Sequence, residues 1–309
     1  MKLVEVPEPE PTGTQVLVRV AAAGVNPVDT YIRSGKHAHA PKLPYTPGKD
    51  AAGVIEKVGS EVKNFKVGER VYTADSISGT YAELTMCDEA QLGRLPDAAG
   101  FAAGAAIWTP YATSYRALFE KAKAQKGETV FIHGASGGVG IAAIQWAKHA
   151  GLRVIGSAGS AEGKQLVTGE GADIAVQHLS SPGGTARAEI LVATDGKGPN
   201  IIIEMLANVN LQLDLDVIAM FGRIAVIGNR GTLEFNPRGI MGKDATILGL
   251  SLFNASADMR KEIHTAIFGG LSEGYLRPVV AKTFNLADAP AAHREIIENR
   301  ALGKLILSP

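Results

Sequence analysis

The chain has 309 residues, 46% of them hydrophobic, with 31 basic and 31 acidic side chains and a formal net charge of zero. That length and composition predict two globular domains, and the charge balance gives no electrostatic reason to bind nucleic acid or an acidic membrane in bulk. One cysteine, Cys87, excludes an intramolecular disulfide and a four-cysteine zinc site, and no apolar run reaches the roughly 20 residues of a membrane span.

The N-terminal Met1-Lys2-Leu3-Val4-Glu5-Val6-Pro7 lacks the apolar centre of a signal peptide, so the expected location is the cytoplasm. The first hundred residues read as β-rich. Residues 15–20 alternate as a half-buried strand, and residues 51–59, 67–72 and 79–86 continue with Gly and Pro punctuation, the pattern of a small antiparallel, barrel-like domain. Cys87, after an aromatic strand, reads as a packing residue.

From Pro110 the period changes. A helix is expected over 112–123, stopped by Gly127. Strands over 130–133, 152–156, 174–176, 201–204, 223–228 and 246–250 then alternate with helices over 139–150, 162–170, 185–193 and 211–219. The alternation predicts right-handed βαβ crossovers and a doubly wound parallel sheet of the Rossmann type. A helix near 259–273, a return segment over 276–284 and a strand over 303–307 are expected to rejoin the first domain. The predicted domains are 1–108, 109–254 and 255–309, the last a return to the first.

The glycine-rich turn Gly134-Ala135-Ser136-Gly137-Gly138-Val139-Gly140 lies between the strand Thr129-Val130-Phe131-Ile132 and the helix beginning at Val139. Glycines there let the backbone approach a pyrophosphate, and the helix N-terminus offers free N–H groups and a positive dipole end. The turn therefore predicts a dinucleotide site. The second strand of such a domain ends in an acidic residue when the cofactor is NAD. Here it runs Arg153-Val154-Ile155-Gly156 into Ser157-Ala158-Gly159-Ser160, with no carboxylate to repel a 2′-phosphate. Lys164 is in reach as a point charge, and His178, after the third strand, overlooks the adenosine end. Glu162 reads as support for the next helix start, with Ser160 as its cap. The expected cofactor is NADP(H).

Residues 25–35 (Val-Asn-Pro-Val-Asp-Thr-Tyr-Ile-Arg-Ser-Gly), 43–48 (Leu-Pro-Tyr-Thr-Pro-Gly) and the glycine turn together resemble the quinone oxidoreductases of the medium-chain dehydrogenase/reductase superfamily. The resemblance is nearest to the zeta-crystallin-like group. It extends over essentially the whole chain and is most specific at residues 201–211 (Ile-Ile-Ile-Glu-Met-Leu-Ala-Asn-Val-Asn-Leu) and 228–238 (Gly-Asn-Arg-Gly-Thr-Leu-Glu-Phe-Asn-Pro-Arg).

The resemblance implies a GroES-like catalytic domain beside the Rossmann domain, a zinc-free active site, quinone reduction by NADPH, and a homo-oligomer, dimer or tetramer. The residues agree on zinc. Asn26 stands near where zinc alcohol dehydrogenases carry a ligand cysteine, and Gly48-Lys49-Asp50 replaces a Gly-His-Glu motif, leaving no ligand set to polarise an alcohol oxygen. By the same resemblance Tyr31 approaches the nicotinamide. Ser136, Gly137, Gly138 and Val139 hold the pyrophosphate, and Gly159 and His178 lie near the adenosine. Asn210, Ile227, Gly228, Asn229, Arg230, Leu250, Ser251 and Leu252 complete the cofactor contacts, with Asn26 and Thr109 at the nicotinamide end. Asn208 reads as a loop cap. The family also carries a strand and a Gly-Gly-Pro turn ahead of Val4, so the first domain is expected to show an unpaired edge.

A quinone accepts hydride readily, so most of the acceleration is expected from proximity and orientation, with Asn26 or the Tyr31 hydroxyl donating a hydrogen bond to the developing oxyanion. One- and two-electron transfer both stay open, and no general acid is assigned. A second reading is NADPH-dependent reduction of an enone or alkenal double bond. A third, non-enzymatic reading is a crystallin or AU-rich RNA-binding role, disfavoured by the neutral charge and the lack of a basic aromatic stripe.

Overall fold

The computed structural model describes residues 1–38, 41–177, 186–299 and 302–309. The chain divides into two units, one built from Met1–Thr109 with Lys261–Pro309, the other from Pro110–Arg260.

The first segment carries β1 (Gln15–Val25), α1 (Pro27–Arg33), β2 (Asp50–Val58), β3 (Arg70–Thr73), β4 (Leu84–Asp88), β5 (Leu92–Arg94), α2 (Phe101–Ala105) and the start of α3 (Trp108–Tyr115). The middle segment alternates β6 (Thr129–Ile132), α4 (Gly138–His149), β7 (Arg153–Ala158), α5 (Ala161–Gly169), β8 (Ile174–Gln177), α6 (Ala186–Ala193), β9 (Ile201–Glu204), α7 (Ala207–Val217), β10 (Arg223–Val226), α8 (Arg238–Met241) and β11 (Thr246–Gly249). The last segment begins with α9 (Ala257–Glu273) and adds β12 (Val280–Asn285), α10 (Ala289–Glu298) and β13 (Lys304–Ser308).

In the first unit the described strands run β12-β13-β1-β2-β3-β5, with β4 paired to β1. Pairing is antiparallel except between β12 and β13, which lie parallel. The C-terminal strand pairs with the end of β1, Val25 opposite Leu305, which makes the unit discontinuous in sequence. One apolar cluster joins Val16, Val18, Ile55, Val71 and Leu92 around Cys87, whose thiol burial pushes up to about 12 and so keeps inert. A second joins Val25, Ala51, Tyr81, Ala292 and Leu305. Residues 1–12 form no helix or strand.

The expected strand over 79–86 is shorter than its pattern. Gly79 takes φ +87° and Thr80 N–H donates to the carbonyl of Pro47 at 3.0 Å, so a turn occupies the stretch before β4. The expected helix over 112–123 begins earlier, at Trp108, and widens after Tyr115 into a π-helical turn over Arg116–Lys121. There Ala122 N–H reaches back five residues to Ala117 O, and the buried Arg116 guanidinium bonds the Glu120 carboxylate and the Ser251 carbonyl.

The second unit is a parallel six-stranded sheet, order β11-β10-β9-β6-β7-β8. Its strands are short β-branched runs buried on both faces, as a helix-covered parallel sheet requires. Phe131, Ile155, Ile202 and Ile224 pack with Ile190 of α6 and Leu211 and Leu215 of α7. Each such side chain contributes about 2 kcal/mol of burial. β6 pairs with β7 on one side and β9 on the other, so successive crossovers leave it in opposite directions. The C-terminal end of β6 is therefore the topological switch point, where open α/β sheets bind ligands.

Candidate active site

The segment leaving β6 at that switch point is the glycine turn. His133–Ser136 turn back on themselves, Gly137 is the N-cap of α4, and no side chain caps the helix. The first N–H groups of α4 are thus left for an outside acceptor. A Cβ at Gly137 would meet only the Gly134 carbonyl, at 3.5 Å, whereas one at Gly140 would stand 2.5 Å from Ala135 Cα. The earlier glycine leaves open space in front of the backbone, and the later one lets α4 pack against the turn. This cradle fits a pyrophosphate on Ser136, Gly137, Gly138 and Val139.

β7 ends at Ala158, and Gly159 follows it. Ser160 caps α5 by accepting from Gly163 N–H at 3.1 Å. The Glu162 carboxylate is held low by its own backbone N–H and the Ser160 hydroxyl, which ties it to the helix start. Lys164 lies on the same first turn, its N–H bonded to the Ser160 carbonyl. His178 lies outside the described residues.

The loops after β9 and β10 are laced together. Asn208 N–H donates to Asn229 Oδ1 at 3.1 Å, and Arg230 N–H donates to Asn208 Oδ1 at 2.9 Å. Ala207 N–H reaches the Gly228 carbonyl at 3.0 Å, and Ile227 N–H the Glu204 carbonyl at 2.9 Å. Asn229 and Arg230 are exposed. After β11, Leu250 N–H bonds the Val226 carbonyl at 3.3 Å, the Ser251 carbonyl takes Arg116, and Leu252 opens a single helical turn. These segments all leave the C-terminal ends of the parallel strands, as the glycine turn does.

Asn210 is placed differently from its neighbours. It is buried in α7, and its Nδ2 donates to Glu204 Oε1 at 3.1 Å. Glu204 Oε1 also accepts the Leu206 N–H. His133 Nε2 stands 2.7 Å from Asp214 Oδ1 and 3.2 Å from Glu204 Oε2. Burial raises both carboxyls to about 7 and lowers the imidazole. Among the described residues this is the one group of three His, Cys, Asp or Glu side chains close enough to share an ion. Its shortest spacing, 2.7 Å, is that of a hydrogen bond. Ligand atoms of tetrahedral zinc lie about 3.3 Å apart.

In the first unit the geometry of a capped helix start builds the polar centre. Asn26 is the N-cap of α1, followed by Pro27 at its first position. Asn26 N–H donates to Asp29 Oδ2 at 2.8 Å, and Tyr81 OH donates to the same oxygen at 3.1 Å. Burial, with Asp50 adding repulsion, raises Asp29 to about 7. Tyr81 OH also lies 3.1 Å from His293 Nε2, and burial pushes that imidazole down to about 4.

Beside them Asp50, wholly buried, accepts from Asn26 Nδ2 at 3.0 Å, Thr109 Oγ1 at 2.6 Å, Thr109 N–H at 3.2 Å and Lys304 Nζ at 3.1 Å. Lys304 Nζ also donates to Asn26 Oδ1. Asn26 and Thr109 are thus members of one polar cluster. Tyr31 lies on α1, partly exposed. Of the cluster's charged core, the sequence marks Asp50 only as the last residue of the Gly48-Lys49-Asp50 segment in the place of a zinc motif, and Lys304 only as part of the last strand. The available signal was a lysine inside the buried strand Lys304-Leu305-Ile306-Leu307.

Residues 12–113 match the alcohol dehydrogenase GroES-like domain and residues 138–267 the zinc-binding dehydrogenase domain. The chain is 45% identical to the human quinone oxidoreductase, over 97% of this chain and 90% of that one. Among solved structures it resembles a mycobacterial protein complexed with NADPH, with TM-score 0.91 and 26% identity, covering 99% of this chain and 95% of that one. It also resembles the Escherichia coli quinone oxidoreductase complexed with NADPH, with TM-score 0.89 and 28% identity, covering 100% of this chain and 95% of that one. Carried by both domains and by similarity along its length, the chain belongs to the zeta-crystallin-like quinone oxidoreductases of the medium-chain dehydrogenase/reductase superfamily.

Proposed function

We infer that the protein is a zinc-independent, NADPH-dependent quinone reductase. The observation carrying the substrate class is the 45% identity to a quinone oxidoreductase over 97% of the chain. The glycine cradle at the switch point supports the dinucleotide, and the carboxylate-free end of β7 supports the phosphorylated form over NADH.

The bound cofactor would supply the hydride; the protein supplies binding, orientation and electrostatics. The N–H groups of Gly138 and Val139 at the start of α4 receive the pyrophosphate, and the small residues after β7 with Lys164 receive the 2′-phosphate. The loop-lacing bonds between Asn208 and the 229–230 segment hold two more walls of the cofactor site in fixed register. In the first unit Asn26 presents an amide N–H to the quinone oxygen, with Tyr31 nearby on α1. In the place of a metal ligand, Asp50 is already saturated by the amide, Thr109 and the Lys304 ammonium.

The protein is further read as a cytoplasmic homo-oligomer. Its lone thiol is buried and free, which suits a reducing compartment, and no described helix is long and apolar enough to cross a membrane. β11 is an edge strand, and Met220, Phe221 and Met241 of the same unit expose their side chains, apolar surface that a second copy would cover.

Steady-state NADPH oxidation against a panel of quinones and enones tests the activity. Turnover with quinones is expected. Turnover with enones alone would transfer the reading to double-bond reduction.

A further inference from the structure

We propose that Lys304, paired with Asp50, is a positioning residue that fixes the Asn26 amide as a hydrogen-bond donor toward the quinone oxygen, serving as a built-in cation where related enzymes use a metal. The proposal rests on the placement of Asn26 at the substrate and goes beyond it.

The chemistry of the three side chains forces the amide orientation. An ammonium only donates, so the Asn26 atom facing Lys304 Nζ has to be Oδ1. An ionised carboxylate only accepts, so the atom facing Asp50 Oδ2, at 3.0 Å, has to be Nδ2. Both neighbours select the same rotamer, which removes the near-symmetry between the two ends of an amide. Among the described residues, Nδ2 spends one hydrogen on Asp50. The second is left as the donor the amide can offer to a ligand.

The fold is built around this arrangement. Lys304 begins β13, and its backbone N–H is tied to the Val279 carbonyl at 2.8 Å. Its stem passes β1 at Gly24, where an added Cβ would stand 3.0 Å from Lys304 Cε and 2.1 Å from the Ala105 carbonyl. Asp50 is held from the other side by Thr109, through both hydroxyl and N–H, and its own carbonyl accepts from the Thr80 hydroxyl at 3.1 Å. Asn26, Asp50 and Lys304 are exposed by only 3%, 0% and 5%, so the charges interact with little screening by water. A buried lysine paired this well polarises the amide through Oδ1 and strengthens the remaining Nδ2–H as a donor to growing negative charge on a carbonyl oxygen.

The test is a double-mutant cycle on Lys304→Met and Asn26→Ala, with NADPH oxidation by 1,4-benzoquinone as the readout and NADPH binding by fluorescence titration as the second. Each single variant is expected to lower kcat on the order of 100-fold, with the NADPH dissociation constant within about twofold of wild type. The double variant is expected to be no slower than Asn26→Ala alone, and Lys304→Arg to recover part of the loss. Because Lys304→Met strands the Asp50 charge, Asp50→Asn/Lys304→Met is the companion variant that removes both charges together. A folded Lys304→Met or companion variant with wild-type kcat, or losses that multiply in the cycle, overturns the proposal while leaving Asn26 at the substrate. Wild-type kcat in Asn26→Ala overturns the placement of Asn26 itself, and the proposal with it.

Discussion

His133 Nε2 lies 2.7 Å from Asp214 Oδ1 and 3.2 Å from Glu204 Oε2, one ring nitrogen facing two buried carboxyl groups. A single N–H cannot serve both, and Glu204 Oε2 and Asp214 Oδ2 meet no hydrogen-bond donor among the described residues. Burial resolves the shortage by raising both carboxyls to about 7, so that the cluster retains a proton that exposed acids would release. The native state then binds more protons than the unfolded chain between the ordinary carboxyl range and pH 7. Stability from these groups is present at mildly acidic pH and lost as pH rises through 7.

Replacing Glu204 by Gln keeps an oxygen for Leu206 N–H and Asn210 and removes one titrating group. The fall in unfolding free energy between pH 5.5 and pH 8, read from urea titrations, is expected to be shallower in Glu204→Gln than in wild type, by at most about 1.4 kcal/mol per pH unit. Parallel profiles would show that Glu204 is ionised throughout.

Asp29 makes the same argument in the other unit. Its carboxyl, raised to about 7 by burial and by Asp50, contributes stability that is lost as pH rises from about 4 to 7. His293, lowered to about 4, works in the opposite sense, its contribution being lost as pH falls from about 6.5 to 4. Asp29→Asn leaves an acceptor for Asn26 N–H and Tyr81 OH. Urea midpoints at pH 5 and pH 8 are expected to lie closer together in Asp29→Asn than in wild type. A gap as wide as wild type would remove Asp29 as the source of the alkaline loss.

The parallel sheet was legible because each strand is a short β-branched run and each helix carries its own period. β9, read from the pattern as 201–204, is Ile201–Glu204 in the structure. Local signals also marked α1, through Asn26 as cap and Pro27 at its first position, although the stretch was read as a motif and not as a helix. The π-helical turn was not legible, since it depends on Arg116 reaching Ser251, 135 residues away. The charged core of the polar cluster was hidden for the same reason. Lys304 and Asp50 are 254 positions apart, and neither residue taken alone reports the other. The glycine turn could be read from sequence because its chemistry is in consecutive residues, whereas His133, Glu204 and Asp214 converge only when three elements fold together.

Lys164 tests the choice between the two nicotinamide cofactors. It lies on the first turn of α5, just past the carboxylate-free end of β7, and no ion pair engages its ammonium among the described residues. If it faces the 2′-phosphate, Lys164→Ala raises the dissociation constant for NADPH roughly 10-fold and leaves NADH nearly unchanged, as expected for one charge-assisted contact. Fluorescence titration with both cofactors decides it. Equal weakening of both would remove Lys164 from the phosphate site.

The two glycines of the turn predict opposite failures. At Gly137 an added methyl meets the Gly134 carbonyl only at 3.5 Å, an ordinary contact, so Gly137→Ala is expected to fold with a melting temperature close to wild type. The methyl would, however, stand in the open space before the first N–H groups of α4, and the NADPH dissociation constant is expected to rise 10-fold or more, on the order of one lost charge-assisted bond. At Gly140 the methyl would lie 2.5 Å from Ala135 Cα and 2.6 Å from the Gly134 carbonyl, both backbone atoms that cannot yield cheaply. Gly140→Ala is therefore expected to lose about 1–3 kcal/mol of stability through overpacking between α4 and the turn. Thermal melts and NADPH titrations on the two variants separate the roles. A Gly137→Ala protein that binds NADPH as tightly as wild type would place the pyrophosphate somewhere other than on this helix.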